Sequence, residues 1–263
     1  MEKILKTLKV DFYKAILSMA FLIGVIGVFS VYLLVAKPEL NQYTDIIYIF
    51  RMSIEWIGTY HLMILLMCTL PFSTIFCKEW SSKNINYNII RSNVRIYSWS
   101  KFLVCSIVGG LVVFIGTTLF IAIMSRFFPI INSFRIEDNS FAYTMANELL
   151  VQGNVFGYIS IYLLLRFLYG AFWASVGLLC SSYIPNIFVA LSSPFILSYV
   201  YRIIAYKLPL YFRLEHIANG SMGDFINNNF IHTLIYSIVI FIILIAISGV
   251  LFEKNVRWRI ENE

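Results

Sequence analysis

From residue 102 to 124 the chain reads FLVCSIVGGLVVFIGTTLFIAIM, with no charged side chain anywhere in the run. About 20 such residues, wound as a helix, cross the ~30 Å of hydrocarbon in a bilayer. Five other stretches share this character, so six spans are predicted at about 15–36, 58–77, 102–124, 157–180, 184–204 and 230–252. The composition points the same way. Of the 263 residues, 60% are hydrophobic and 13% charged, against roughly a quarter charged in a soluble domain. The expectation is an all-α integral membrane protein, one transmembrane domain over 1–263. The first apolar run is too long for a signal-peptide core and no A-x-A site follows it, so it reads as a retained anchor.

Orientation follows from where the cations sit. The N-terminal stretch carries Lys3, Lys6, Lys9 and Lys14; residues 76–105 carry Lys78, Lys83, Arg91, Arg95 and Lys101; the tail carries Lys254, Arg257 and Arg259. Against these twelve stand six acids, Glu2, Asp11, Glu79, Glu253, Glu261 and Glu263, while the rest of the chain holds eight of each sign. Six spans put all twelve cations on one side. Both termini are then cytoplasmic in a multi-pass protein of the plasma membrane. Heavy use of Ile, Asn, Phe, Tyr and Lys hints at an AT-rich bacterial genome.

The first 14 residues are amphipathic at helical period. Ile4, Leu8 and Phe12 form an apolar stripe widened by Leu5, with the lysines opposite. Such a helix is expected in the headgroup region, near anionic lipid; a frayed basic tail is the alternative. The stretches 37–57, 125–156 and 205–229 are charge-balanced outer segments with aromatic borders, as in YVYRIIAYKLPLYF (199–212). Spans four and five are joined by the short SSYIPN (181–186).

Few residues inside the spans invite chemistry. Cys68, Cys77, Cys105 and Cys180 match no metal-ligand spacing and read as small buried apolar residues. His61, His216 and His232 form no ligand cluster, and no metal site is expected. Arg166, in ISIYLLLRFLYG, is the one charge well inside a span. It could meet an anionic substrate in a translocation path, pair with Glu148 or another outer acid, or snorkel. Gly170, Ala171, Ala174 and Ser175 permit close helix contact, within the chain or across a dimer seam. Pro194 is expected to kink span five.

Residues 76–105 are basic yet studded with Ile, Tyr and Trp. On a helical wheel Arg91 and Arg95 share a face with Asn88 and Ser92, while Ile85, Ile89, Ile90, Val94, Ile96 and Tyr97 cover the rest. A helix of this kind outside the bilayer buries its apolar face on headgroups or in a partner's groove. Six spans, an amphipathic N-terminal helix and this long second cytoplasmic segment resemble the permease subunit of ABC exporters, type-2 class. That class commonly has an acid after span two, a helix, a motif similar to P-x-S-R, and a Lys opening span three. Here Glu79, RSNVR (91–95) and Lys101 take those places, with SSKNIN where Gly-Thr is usual and no Pro before the Ser.

The resemblance implies a coupling helix between spans two and three that docks on a cytoplasmic ATPase through Glu79, Ile89, Ile90, Arg91, Val94, Arg95 and Tyr97. It implies two ATPase copies and a second permease subunit, in a homo- or heterodimer, within membrane lipid. The chain has no G-x-x-x-x-G-K-[ST] loop, so it is read as no enzyme and as binding no cofactor. ATP and Mg would sit on the partner, and no nucleic acid is expected. The cargo could be amphipathic, a peptide, a lipid or drug-like. The competing classes are an intramembrane enzyme, whose usual motifs are missing from the sequence, and an ATP-independent secondary transporter. The latter usually has more spans, inverted repeats and membrane-embedded acids.

Overall fold

The computed structural model describes residues 2–39, 45–55, 60–131, 144–221, 223–226 and 229–262. Among them all regular structure is helical, with no strand. We number the helices α1 (Glu2–Ile16), α2 (Met19–Ala36), α3 (Ile46–Glu55), α4 (Tyr60–Thr69), α5 (Ile75–Ser81), α6 (Asn84–Ser92), α7 (Val94–Met124), α8 (Asn147–Val151), α9 (Val155–Tyr183), α10 (Ile187–Ala205), α11 (Leu214–Asn219) and α12 (Phe230–Asn262). Five of these, α2, α7, α9, α10 and α12, are long and apolar enough to cross a membrane. The chain has the make-up of a multi-pass all-α membrane protein.

The stretch predicted as the second span, 58–77, is not one continuous helix. Residues 60–81 form α4 and α5, separated by a turn over 70–74. Pro71 is the physical reason: it has no N–H to donate, and its ring collides with the preceding turn. The irregular backbone is covered by protein. Phe72, Ser73 and Thr74 are buried, and Ser73 Oγ donates to the Ala174 carbonyl of α9 at 3.1 Å. A Cβ on Gly24 of α2 would lie 2.9 Å from the Met67 carbonyl oxygen, and one on Gly109 of α7 would lie 3.0 Å from that of Cys68. Both glycines let neighbouring helices close over the break, as irregular backbone at membrane depth requires.

α7 and α9 form the centre. A Cβ on Gly109 would meet that of Ala174 at 2.2 Å, and one on Gly170 would reach Val113 Cγ2 at 2.7 Å. Gly170 and Ala174 thus pack against α7 within the chain, while Ser175 Oγ lies 3.0 Å from Ser248 Oγ of α12. Pro194 lies inside α10 against Gly177 of α9, where an added Cβ would sit 3.1 Å from the proline ring. Cys68, Cys77 and Cys105 are buried and Cys180 is half-buried, all as free thiols.

The opposite ends of the bundle are distinct. At one, Trp99 donates to Glu253 of α12 at 2.7 Å, Asn255 donates to Ser182 at 2.9 Å, and Arg259 donates to the Ser182 and Tyr183 carbonyls that close α9. At the other, α3, α8 and α11 gather over the first turns of α9.

Candidate functional site

Three ionised side chains from three helices meet at the end that carries the basic residues. Lys101 Nζ lies 2.8 Å from Asp11 Oδ1 of α1 and 2.7 Å from Glu79 Oε1 of α5. Their remaining oxygens are taken up as well. Glu79 Oε2 accepts from Tyr97 at 2.7 Å and from Asn88 of α6 at 3.2 Å, and Asp11 Oδ2 accepts from Ser100 at 3.1 Å. The ammonium also sits 5.8 Å from the Phe72 ring centre and 5.6 Å from that of Tyr97. Lys101 is only 5% exposed. A buried ion pair stabilises only where further hydrogen bonds satisfy its lone pairs, and here they do.

This knot sets how the predicted docking stretch is displayed. The helix expected over 85–97 is divided at Asn93, whose φ of 74° and ψ of 147° end α6 and start α7. Val94, Arg95 and Tyr97 therefore belong to the first turns of α7. Ile85 is buried and Ile89 and Val94 are half-buried against the core. Tyr97 is 1% exposed, whereas Tyr87 is 71% and Ile90 83% exposed. Of the residues expected to dock, Ile90 and Arg95 face outward, with Tyr87 added. Glu79 and Tyr97 hold the helices together from inside. The side chains of Arg91 and Ile4 lie outside the described residues.

α1 is a helix, as expected, but it does not rest only on lipid. Leu8 and Phe12 pack against the core, Ala15 is buried, and Asp11 between them reaches Lys101. Val10 and Tyr13 of α1, and Leu17 just after it, are exposed apolar residues. An acid on the apolar stripe of an amphipathic helix, at i+3 from Leu8, was the available sign that the stripe has a protein partner.

Arg166 lies in the N-terminal half of α9 and is 1% exposed. Its Nη2 donates to Asn219 Oδ1 at 2.7 Å, and its Nε has no partner among the described residues. No described carboxylate, Glu148 included, lies within ion-pair distance of it. Arg51 of α3, also buried, donates to the Asn219 carbonyl at 3.1 Å and to Tyr162 OH at 3.0 Å, and the Tyr162 hydroxyl in turn donates to the Met145 carbonyl at 3.1 Å. The neighbouring Gly220 has φ +59°, and a Cβ there would strike the Tyr162 ring at 2.7 Å. Two buried arginines thus clamp α11 onto the bundle through one asparagine. Sequence reasoning gave no sign of Asn219, because its role depends on a loop that folds back over α9.

No protein-family model matches the chain, and neither a curated protein nor a solved structure matches it.

Proposed function

We propose that the chain is the membrane-spanning subunit of an ATP-driven exporter of the ABC type-2 class, working with a separate cytoplasmic ATPase. The Glu79–Lys101 contact carries this reading. These are the acid after span two and the lysine opening span three, the two positions on which the resemblance rests, and they meet at 2.7 Å. A pull on α6 would pass through Asn88, Glu79 and Lys101 straight into α7, and through Asp11 into α1. That is the mechanical link a docking helix needs.

The path of the second segment supports six crossings. Leu62 of α4 lines a cavity shared with Arg202 and Glu215, while Glu79 of α5 lies in the knot with Asp11 and Lys101. On this reading residues 62–79 are a broken sixth crossing, and both termini then lie on the basic, cytoplasmic side. The exposed Tyr87 and Ile90, flanked by Lys83 and Arg95, are the surface offered to an acidic-rimmed groove on the ATPase. Two permease and two ATPase chains complete the transporter.

The test is to look for an ABC ATPase gene beside that of this chain, co-express the two and purify in detergent. Burying a large side chain is worth about 1.5–3 kcal/mol, so Tyr87→Ala with Ile90→Ala should release the ATPase while the permease still inserts. Arg95→Ala should weaken the complex by about 0–1 kcal/mol, an effect that shrinks at high salt. Full copurification and coupled ATP hydrolysis with the double variant would sink the proposal.

A further inference from the structure

At the end of the bundle opposite the termini lies a cavity of about 170 Å³. Its walls are aromatic, with Tyr169 and Trp173 from α9, Tyr199 and Tyr201 from α10, and Tyr206 just beyond the end of α10. The charge sits along one side. Arg202 of α10 and Glu215 of α11 stand 3.4 Å apart, with side chains 51% and 20% exposed. Arg213 lies beside them, its guanidinium 5.4 Å from the Tyr206 ring centre, held by the Leu208 and Tyr206 carbonyls at 3.3 and 3.1 Å. Burial holds the His216 imidazole below its ordinary pKa, so near neutral pH it adds no charge. The cavity offers two cations and one anion next to aromatic faces.

An apolar track leads to it. Phe195, Tyr199 and Ile203 recur every four residues on α10, with Ile196 and Val200 alongside, and all are exposed. Tyr199 belongs both to this stripe and to the cavity wall. Aromatic residues crowd this end of the chain as they do where hydrocarbon meets headgroups.

We infer that the cavity binds the headgroup of a zwitterionic phospholipid, with its acyl chains laid along the exposed face of α10. Guanidinium groups suit a phosphodiester. A carboxylate beside aromatic faces suits an ammonium. Only a ligand carrying both charges side by side, on an apolar anchor, uses all three features. An anionic lipid would leave Glu215 facing a negative group with no ammonium between them. The inference needs no ATPase and stands apart from the exporter reading.

The purified full-length chain in non-ionic detergent, followed by tryptophan fluorescence, tests it. Short-chain phosphatidylethanolamine should bind about tenfold tighter than phosphatidylglycerol of the same chain length, a difference of about 1.4 kcal/mol. The response should vanish in Trp173→Phe, which places it in the cavity. Glu215→Gln should erase most of the preference between the two lipids, and Arg202→Gln should weaken both several-fold. Should Glu215→Gln fail to fold, the half-exposed Arg202 still gives the second arm. Glycerophosphoethanolamine, the headgroup without chains, should bind far more weakly. Equal binding of both lipids, a response kept in Trp173→Phe, a preference kept in Glu215→Gln, or equal binding by the chain-free headgroup would each overturn the assignment.

Discussion

Lys101 shows how much one buried charge can be asked to hold. Its ammonium is shared by two carboxylates from different helices, and each carboxylate is hydrogen-bonded in turn. Removing the cation leaves two buried anions facing each other. Lys101→Met is therefore expected to destabilise the fold by about 3–5 kcal/mol, read as a lowered melting midpoint in detergent. Adding Asp11→Asn and Glu79→Gln should restore much of that loss, because the uncompensated charge goes with them. A Lys101→Met protein that melts with the wild type would show that the knot holds nothing. At the far end, Arg166→Ala should remove one tether of Asn219 and loosen α11, raising hydrogen–deuterium exchange over 214–221 while the core of α9 stays protected. Unchanged exchange there would argue that the Arg166–Asn219 contact does not hold α11 in place.

Among the elements, the corner between α6 and α7 turns a helix expected to be continuous into two. Asn93 adopts φ 74° and ψ 147°, a region that L side chains rarely enter and that stores about 1–3 kcal/mol. The knot holds the corner in place by fixing Asn88 on one side and Tyr97 on the other. Asn93→Gly should therefore be neutral or stabilising by up to about 1 kcal/mol, whereas Asn93→Val should destabilise by about 1–3 kcal/mol. Thermal unfolding of the two variants checks the sign, and a destabilised glycine variant would contradict it. The break in 60–81 has the opposite character. There the cause, Pro71, is printed in the sequence, yet a hydropathy window averages over it, so one span was expected where two short helices stand.

For the molecule as a whole, topology is the quantity to measure. In a variant lacking the native cysteines, cysteines placed at the exposed positions 86 and 258 should label only from the cytoplasm. One placed at position 207 should label only from outside. Labelling of 86 and 207 from the same side would remove the six-crossing arrangement. The sequence by itself determined the all-helical class, the membrane-protein character, a helix over the first 14 residues and the approximate places of five long apolar helices, because these rest on apolar runs and local period, which need no partner to be read. It also singled out Arg166 as a charge in a costly place, and the resemblance drew attention to Glu79 and Lys101. Only the tertiary structure decided what those charges do. Asp11, Glu79 and Lys101 come from separate helices, and Asn219 reaches Arg166 from the end of α11, beyond the next helix. Which face of α6 stays open was likewise a matter of packing: an isoleucine at 85 and one at 90 look alike in sequence, and only the position of α7 buries the first and leaves the second exposed.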